Sequence, residues 1–529
     1  MKRLSLALLL LLASATAARA DPITAAITGI ATWYASIGVV GQLLVSVAIS
    51  AASFGIQYLI SAAGQRQRQG QQEQPGVQLP EFDALLEVGR VYGTATLAGG
   101  VFFHKTVAAS GSSVPDRWLF GLTLSEGVCD GLVSISINGT ECFFGPTGDA
   151  VTAPWFDGSI AYLRSSFRTG TDSQAIDSII SGRFASPPDD FYPGDAARAT
   201  KWTEFRQRGV CTIVLDMDYG NSADHHTELW GVAGVPQMLI RLRGLRQYDR
   251  TDPAQDPSDP TTWTWSDTAT IAIEDYLCAD LGGQVPRAEI NGTAATESIA
   301  IDREYVPTLD GSEQRGRVNG LVRSTESPID VIGAMAQQNR ATISKSEGLS
   351  NIRADRPASA VATIHKGQWV RAGSISMQNE PDSRSGISGI VAQFFPAARY
   401  GQQAETAYPG SALDDETAER QSQRFCDSAP AAQRLAYAMM TENALGKTIS
   451  GVFDISVLVA SGKANRQLEL GDVVNWDAPA PYDDMNGLYR VDGLSINADF
   501  TVALSLSGTS PTIINGWSTA LETPLEEAA

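Results

Sequence analysis

One short stretch of the sequence concentrates residues that could bind a metal ion. It follows an apolar run and contains Asp216, Asp218, Asp224, His225 and His226. Carboxylate and imidazole groups are suitable ligands for divalent ions. However, their spacing matches no metal-binding loop, and a polar connection after a strand explains the same residues. We therefore assign no metal ligand here.

Other patterns that could support catalysis are incomplete. Leu445-Gly446-Lys447-Thr448 is similar to the end of a phosphate-binding loop, but Thr441 stands where that loop needs its first glycine. A Cys–His hydrolase would need a histidine beside a cysteine in space, which the sequence does not predict. The chain contains neither a G-x-S-x-G nor an H-E-x-x-H motif. We predict a protein that is not an enzyme and has no catalytic residues and no cofactor. The histidines are His104, His225, His226 and His365.

The cysteines do not indicate a disulfide framework or a zinc site, because they are odd in number, widely spaced and without a C-x-x-C pair. We expect most of them to be small buried apolar residues. One alternative stays open, a single bridge between Cys129 and Cys142 across a hairpin. The five cysteines are Cys129, Cys142, Cys211, Cys278 and Cys426.

Composition limits the class of protein. The chain has 529 residues, of which 43% are hydrophobic, and a formal net charge of −20. This length predicts about three or four globular domains. Nucleic-acid binding through phosphates needs basic surfaces, so we expect no sequence-specific nucleic-acid partner.

The N-terminus allows two interpretations. Met1–Ala20 has the basic start, the apolar run and the A-x-A motif of a secretory signal. The next stretch, from Pro22 to Gln65, contains no charged residue, and Ile27–Ile60 is long enough to span a bilayer. It is either an anchor after a signal or a set of membrane-active helices, and cleavage of Met1–Ala20 stays open. Our candidates for membrane-active residues are Ile27, Ile30, Trp33, Leu43, Leu44, Phe54 and Leu59.

After a Gln-rich linker, alternation of apolar and polar residues predicts strands. Phe120, Leu122 and Leu124 alternate with small polar residues, and Asn138-Gly139 predicts a type I′ hairpin turn. Further predicted strands are Cys211–Asp218, Met238–Arg243, Phe453–Val459, Leu468–Asn475, Leu488–Leu494 and Phe500–Ser507.

Three helices are predicted between these strands. The first has Ser266 as its N-cap, Asp267 in its first turn and Gly282-Gly283 after its end. The second begins at Ser327-Pro328, and the third covers Ala431–Thr441.

These patterns predict a mainly β fold with α+β insertions. It would comprise several β-barrel or tube-like domains and an apolar N-terminal helical segment. The predicted boundaries are 1–64 for the apolar helices, 65–80 for the linker, 81–260 for a β-barrel domain with an insertion at about 145–203, 261–370 for an α+β domain, 371–515 for a second tube-like β-barrel domain and 516–529 for an acidic tail.

A series of short motifs resembles the lambda J-type central tail-hub proteins of tailed phages, in the order in which that family has them. Thr268-Ala269 stands where the family has Asn-Pro, which is a modest departure. The matching segments are Gly89-Arg90-Val91-Tyr92-Gly93 followed by Gly99-Gly100, Leu239–Tyr248, Trp265-Ser266-Asp267 followed by Asp275-Tyr276-Leu277, Ser327–Ile332, and Leu470-Gly471-Asp472-Val473-Val474 followed by Tyr489-Arg490-Val491.

The resemblance implies a homotrimeric hub at the distal end of the virion tail, made in the host cytoplasm. Such a hub closes the tail tube and opens for ejection of DNA, and its apolar N-terminal helices would enter the host membrane. The implied partners are the distal tail protein, the tail tube, the tape-measure protein and tip fibre or receptor-binding proteins. The source is either a phage or a gene-transfer particle.

Two alternatives from other classes remain. The signal-like Met1–Ala20 is compatible with an exported bacterial envelope β-protein, whose mature chain would begin at Asp21. A tail-associated hydrolase is the other alternative, although the missing motifs disfavour it.

Overall fold

A computed structural model of the chain describes residues 88–108, 115–183, 206–220, 223–231, 236–356, 359–370, 375–379, 388–396, 402–408, 417–465 and 467–524. The predicted mainly β fold is confirmed. The linker and the apolar segment, with its candidate membrane-active residues, lie outside the described part. Within that part, no helix is long and apolar enough to cross a membrane.

Two sheets form the first part of the described chain. The strands are β1 (Arg90–Tyr92), β2 (Thr94–Leu97), β3 (Gly100–Ala108), β4 (Pro115–Glu126), β5 (Cys129–Ile137), β6 (Thr140–Cys142), β7 (Leu163–Arg168), β8 (Val210–Asp218), β9 (Met238–Gln247) and β10 (Thr264–Trp265), with helices α1 (Ser178–Arg183) and α2 (Ala223–Trp230). One sheet has the order β3-β4-β8-β7. The other has the order β10-β9-β5-β6, and β2 also pairs with β9. Alternate apolar residues such as Phe120, Leu122 and Ile135 are buried together between them.

The predicted hairpin turn at Asn138-Gly139 is confirmed. Ile137 pairs with Thr140 across the turn. Asn138 and Gly139 have φ angles of +49° and +85°, as a type I′ turn requires. Within the predicted insertion, β7 pairs with β8 and Trp155 is buried in the same core, so this part is integral to the sheet.

Helices dominate the middle of the chain. The elements are α3 (Ala269–Cys278), α4 (Gly292–Asp302), β11 (Tyr305–Thr308), β12 (Gly311–Gln314), β13 (Gly320–Val322), α5 (Pro328–Gln338), β14 (Thr342–Ser346) and β15 (Leu349–Arg353). Their core includes Ile273, Val331 and Ile352, together with Tyr92 from β1 and Phe425 from far along the chain. Strand β1 pairs with β13, so the start of the described chain belongs to this core.

The predicted boundaries of the first helix are wrong at both ends, because α3 already ends at Cys278, before Gly282-Gly283. Helix α3 has Thr268 as its N-cap. Ser266 lies outside the helix, where its Oγ accepts a hydrogen bond from the Thr268 amide at 3.1 Å. Helix α4 was not predicted, although Asn291 caps it by accepting from the Ala294 amide. The predicted start of α5 at Ser327-Pro328 is confirmed.

The last part contains two further sheets. Its elements are β16 (Ala362–His365), β17 (Ile375–Gln378), β18 (Ile390–Phe394), β19 (Ala404–Tyr408), β20 (Glu419–Ser422), α6 (Ala429–Leu445), β21 (Thr448–Asp454), β22 (Val473–Asp477), β23 (Gly487–Ile496), β24 (Thr501–Gly508) and α7 (Thr512–Asn515). The larger sheet has the order β16-β22-β23-β24-β21-β17, and the smaller has the order β19-β18-β20. The strand predicted at Phe453–Val459 is misplaced, because β21 ends at Asp454 and a 3₁₀ turn follows.

Candidate functional site

Strand β1 and helix α3 meet at a buried contact that brings several motif residues together. The Tyr92 hydroxyl donates to Asp275 Oδ2 at 2.9 Å across 183 positions of sequence. Arg90 Nη2 lies 3.8 Å from the same carboxylate oxygen. Burial, followed by the Asp275 charge, raises the pKa of Tyr92 well above its usual range. The hydroxyl therefore stays protonated and remains a donor. We call these residues, with Gly93 and Trp265, the β1–α3 junction.

A glycine turn completes this junction. The Gly93 carbonyl accepts hydrogen bonds from Trp265 Nε1 at 3.0 Å and from the Gly244 amide at 2.7 Å. Gly93 has a φ of +59°. A Cβ at this position would overlap the Val318 carbonyl oxygen and Asn319 Oδ1, so only glycine fits without displacing the neighbouring chain.

The other motif residues near this junction have separate roles. Tyr276 packs edge-on against Tyr92, with ring centroids 6.1 Å apart, and Leu277 is fully buried in the same core. The Gly89 carbonyl accepts from the Glu126 amide at 2.8 Å. Gly99 and Gly100 lie away from the junction, where the chain leaves β2 and begins β3.

Two further motif residues, Gly471 and Asp472, lie in a separate charged site. Asp472 accepts from Arg353 Nη1 at 3.0 Å and from Lys463 Nζ at 2.9 Å. Glu469 pairs with the same two cations. Gly471 has a φ of +82°, and its Cβ position lies 3.3 Å from Thr342 Oγ1. We call Arg353, Lys463, Glu469 and Asp472 the Arg353 cluster. Together with the Gly471 contact, it connects the turn before β22 to β14 and β15.

A second cluster that the sequence did not predict lies close by. Arg340 and Arg490 both bind Glu442, the latter through Nη1 at 3.2 Å. Arg340 Nε also contacts Asp355 at 2.9 Å, and Arg490 Nε contacts Asp492 at 2.9 Å. Burial alone would raise the pKa of Glu442, but the two guanidiniums outweigh it and lower that pKa. This Arg340 cluster joins the turn after α5 to α6 and β23.

A third cluster surrounds Arg317. Its Nε donates to Asp267 at 2.8 Å, and its Nη2 donates to Asp427 at 3.2 Å. Glu313 lies beside Arg317 and also pairs with Arg434 of α6. Burial raises the pKa of Asp427. Asp267, which the sequence assigned to a helix turn, therefore acts in a long-range ion pair, and the Arg317 cluster fixes α6 to the middle part.

The candidate metal residues do not converge. Asp216 and Asp218 both pair with Arg117, at 2.7 and 3.1 Å. His226 Nδ1 lies 2.9 Å from the Tyr219 carbonyl oxygen. Among the described residues, no group of three histidine, cysteine or acidic side chains could hold a metal.

The other chemical candidates have structural roles. Gly446 ends α6 in the left-handed conformation, and Lys447 Nζ donates to the Asp484 carbonyl at 2.7 Å. All five cysteines are free, so the Cys129–Cys142 alternative is not realised. Burial raises the pKa of Cys142 to about 12, which keeps that thiol protonated and weakly nucleophilic.

A cleft of about 450 Å³ lies between α4 and the turn before β22. The basic residues that line it are already paired with carboxylates: Arg353 and Lys463 within the Arg353 cluster, Arg490 within the Arg340 cluster, and Arg356 with Glu297 at 3.5 Å. We therefore assign no ligand to it. The ion pairs and hydrogen bonds of these sites connect parts of the chain that are far apart in sequence.

No protein-family model matches the sequence, and no curated protein is a significant match to it. Among solved structures, the chain is similar to a chain in the virion of a native gene transfer agent particle, with a TM-score of 0.55 and 14% identity, over 93% of this chain and 98% of that chain.

Two further solved structures match at lower TM-scores. They are the tail protein from Neisseria meningitidis MC58, with a TM-score of 0.28 and 12% identity over 80% of this chain and 96% of that chain, and the prophage tail protein gp18 from Listeria monocytogenes EGD-e, with 0.22 and 9% over 76% and 87%. The likeness to the gene transfer agent chain establishes a shared fold along nearly the whole of both chains.

Proposed function

We propose that this chain is a structural protein of a phage-type tail, and that it forms the hub at the distal tip. The observation that carries the proposal is the fold shared with a chain of a gene transfer agent virion over 93% of this chain and 98% of that one. Because the likeness runs through nearly the whole of both chains, it does not come from one widespread β module.

The internal contacts support a structural role. The β1–α3 junction ties the start of the described chain to the middle core, and the three ion-pair clusters tie that core to the last sheets. A protein at the end of a tube must hold several sheets in a fixed relation while it binds neighbours. Cross-links between residues that are distant in sequence meet this need.

In detail, the hub would be a homotrimer, which is a ring of heterologous contacts that closes. Its neighbours would be the distal tail protein, the tail tube, the tape-measure protein and tip fibre or receptor-binding proteins. The formal net charge of −20 would repel DNA phosphates from the channel wall and ease their passage. The apolar segment would close the channel and enter the host membrane on ejection.

Deletion of the gene in the strain that makes the particle tests this proposal. We expect incomplete or absent tails in electron micrographs, and a loss of DNA delivery that the full-length chain restores in trans. Normal tails and normal delivery without the chain would refute the proposal. Recovery of a monomer that begins at Asp21 from the envelope fraction would instead identify an exported envelope protein.

A further inference from the structure

Three large apolar side chains are exposed at one end of the six-stranded sheet. Ile455, Ile496 and Phe500 are 41%, 56% and 73% exposed. The first follows β21, and the other two flank the turn between β23 and β24. We call these residues, with Asp454 and Asp499, the β23–β24 tip.

The strand register places both turns at the same end. Asp454 pairs with Thr501 between β21 and β24, and Ile496 pairs with Val502 between β23 and β24. Ile455 therefore leaves the sheet beside Phe500. The three exposed apolar residues therefore lie at the same end of the sheet.

The backbone at Phe500 is unusual for an aromatic residue. Its φ is +60°. The turn is closed by the Asn497 amide on the Thr501 carbonyl at 2.8 Å and by the Phe500 amide on the Asn497 carbonyl at 3.0 Å. This left-handed position in a hairpin loop favours glycine. The Phe500 side chain is exposed, so burial in the core does not compensate for this backbone conformation. Such a conformational outlier points to a functional contact.

The charges of the tip are acidic. Asp454 accepts from the Ser456 amide at 2.9 Å, and Asp499 accepts from the Thr501 hydroxyl at 2.7 Å. These hydrogen bonds lower the pKa of both carboxylates, so both are ionised at neutral pH. The tip thus combines an apolar centre with two negative charges at its rim.

We infer that the β23–β24 tip docks into an apolar pocket rimmed by lysine or arginine on another protein of the same particle. Charge complementarity favours such a partner. This inference rests on the proposed function, because it needs a particle that contains the chain.

A photo-crosslinking amino acid at position 500 identifies what the tip contacts. Para-benzoylphenylalanine replaces Phe500 in the full-length chain, and the purified particle is irradiated and digested for mass spectrometry. We expect a crosslink to a peptide of a different particle protein that contains apolar residues with lysine or arginine. A crosslink to a second copy or to added lipid vesicles, or no crosslink in a particle that contains the chain, would overturn the inference. Absence of the chain from the particle would refute the proposed function as well.

A substitution separates binding from folding. Phe500→Gly removes the aromatic ring but suits the positive φ, so the melting temperature of the isolated chain should not fall. Particle assembly or DNA delivery should fall about tenfold or more if Phe500 is an interface anchor. The matched control is Tyr305→Ser, which removes an aromatic side chain that is 69% exposed on another hairpin and should leave delivery unchanged. Equal delivery by both variants would contradict the inference.

The acidic rim is tested with Asp454→Asn and Asp499→Asn together. Asparagine preserves the acceptor oxygen of each turn and removes the charge. We expect a slower association with the partner and a weaker dependence of assembly on salt. An unchanged salt dependence would contradict the claim that lysine or arginine residues rim the partner's pocket.

Discussion

Two connections hold the described chain together by different means. At the β1–α3 junction, buried aromatic rings and a glycine turn surround one tyrosine–carboxylate hydrogen bond, with one arginine at the edge. In the Arg340 cluster, two guanidiniums and three carboxylates meet between the turn after α5, α6 and β23. The first connection relies mainly on packing, and the second relies on paired charges.

The difference teaches how each connection should respond to its environment. Apolar burial is insensitive to moderate salt, whereas a charged group that loses its partner in a partly buried site keeps its desolvation cost. The β1–α3 junction is therefore expected to stay intact at salt concentrations that weaken the ion pairs of the last sheets.

The largest effect should come from breaking the glycine turn of the junction. Gly93→Ala introduces a Cβ against the Val318 carbonyl oxygen in a left-handed conformation, so we expect a loss of about 3 kcal/mol or more in the free energy of unfolding. Urea unfolding of the full-length chain measures it. Gly131→Ala is the control, because its Cβ would meet nothing within 4 Å. Similar losses in both variants would show that the turn has no special role.

In the Arg340 cluster, Glu442→Gln removes one of two carboxylates that contact both Arg340 and Arg490, and Asp355 remains. We expect a loss of about 2 to 3 kcal/mol, below the value for a fully buried pair because the Glu442 side chain is 21% exposed. Glu297→Gln breaks a surface pair at 57% exposure and should cost less than about 0.5 kcal/mol. Equal unfolding midpoints for the two variants would contradict the claim that the Arg340 cluster stabilises the fold.

A smaller effect sharpens the description of the junction. Tyr92→Phe keeps the ring packing and removes the hydroxyl donor to Asp275, which should cost about 1 to 2 kcal/mol. Because Arg90 still faces the carboxylate, the loss should stay modest, and it should change little between low and high salt. A strong salt dependence of this loss would mean that charge stabilises the junction. The junction and the Arg340 cluster would then not differ in how they are stabilised.

A pH-dependent effect concerns Asp302, a buried carboxylate that accepts from the Thr270 amide and from Asn339 Nδ2 at 2.7 and 3.0 Å. Burial raises its pKa to about 7 despite these bonds. The folded state therefore keeps a proton that the unfolded state releases near pH 4. Its stabilising contribution is complete below about pH 4 and is lost as the pH rises towards 7.

Unfolding midpoints between pH 4 and 8 test this contribution. In Asp302→Asn, the part of the pH dependence that belongs to this residue should disappear, whatever the change in absolute stability. An identical slope in the variant and the unchanged protein would show that Asp302 does not titrate in this range.

Local features of the fold could be predicted from the sequence. The turn at Asn138-Gly139 and the start of α5 at Ser327-Pro328 follow from backbone preferences of two adjacent residues. The N-cap at Ser266 was wrong because the chain continues extended to Thr268 before the helix begins. Helix α4 was missed, although Asn291 is a suitable N-cap that could have indicated it.

The long-range contacts could not be predicted in this way. Tyr92 and Asp275 are 183 positions apart, and no local pattern indicates which carboxylate a tyrosine will meet. The family resemblance marked both residues without assigning them a contact. In the Arg340 cluster the family resemblance marked only Arg490. Isolated charged residues in different elements look like ordinary surface residues until the fold brings them together.

Cryo-electron microscopy of the purified source particle tests the central proposal most directly. We predict density at the distal end of the tail that fits this fold in three copies around the tail axis, with the β23–β24 tip against a neighbouring protein. A complete tail tip without density for this chain, together with its absence from the particle by mass spectrometry, would contradict the proposal that it is a tail-hub protein.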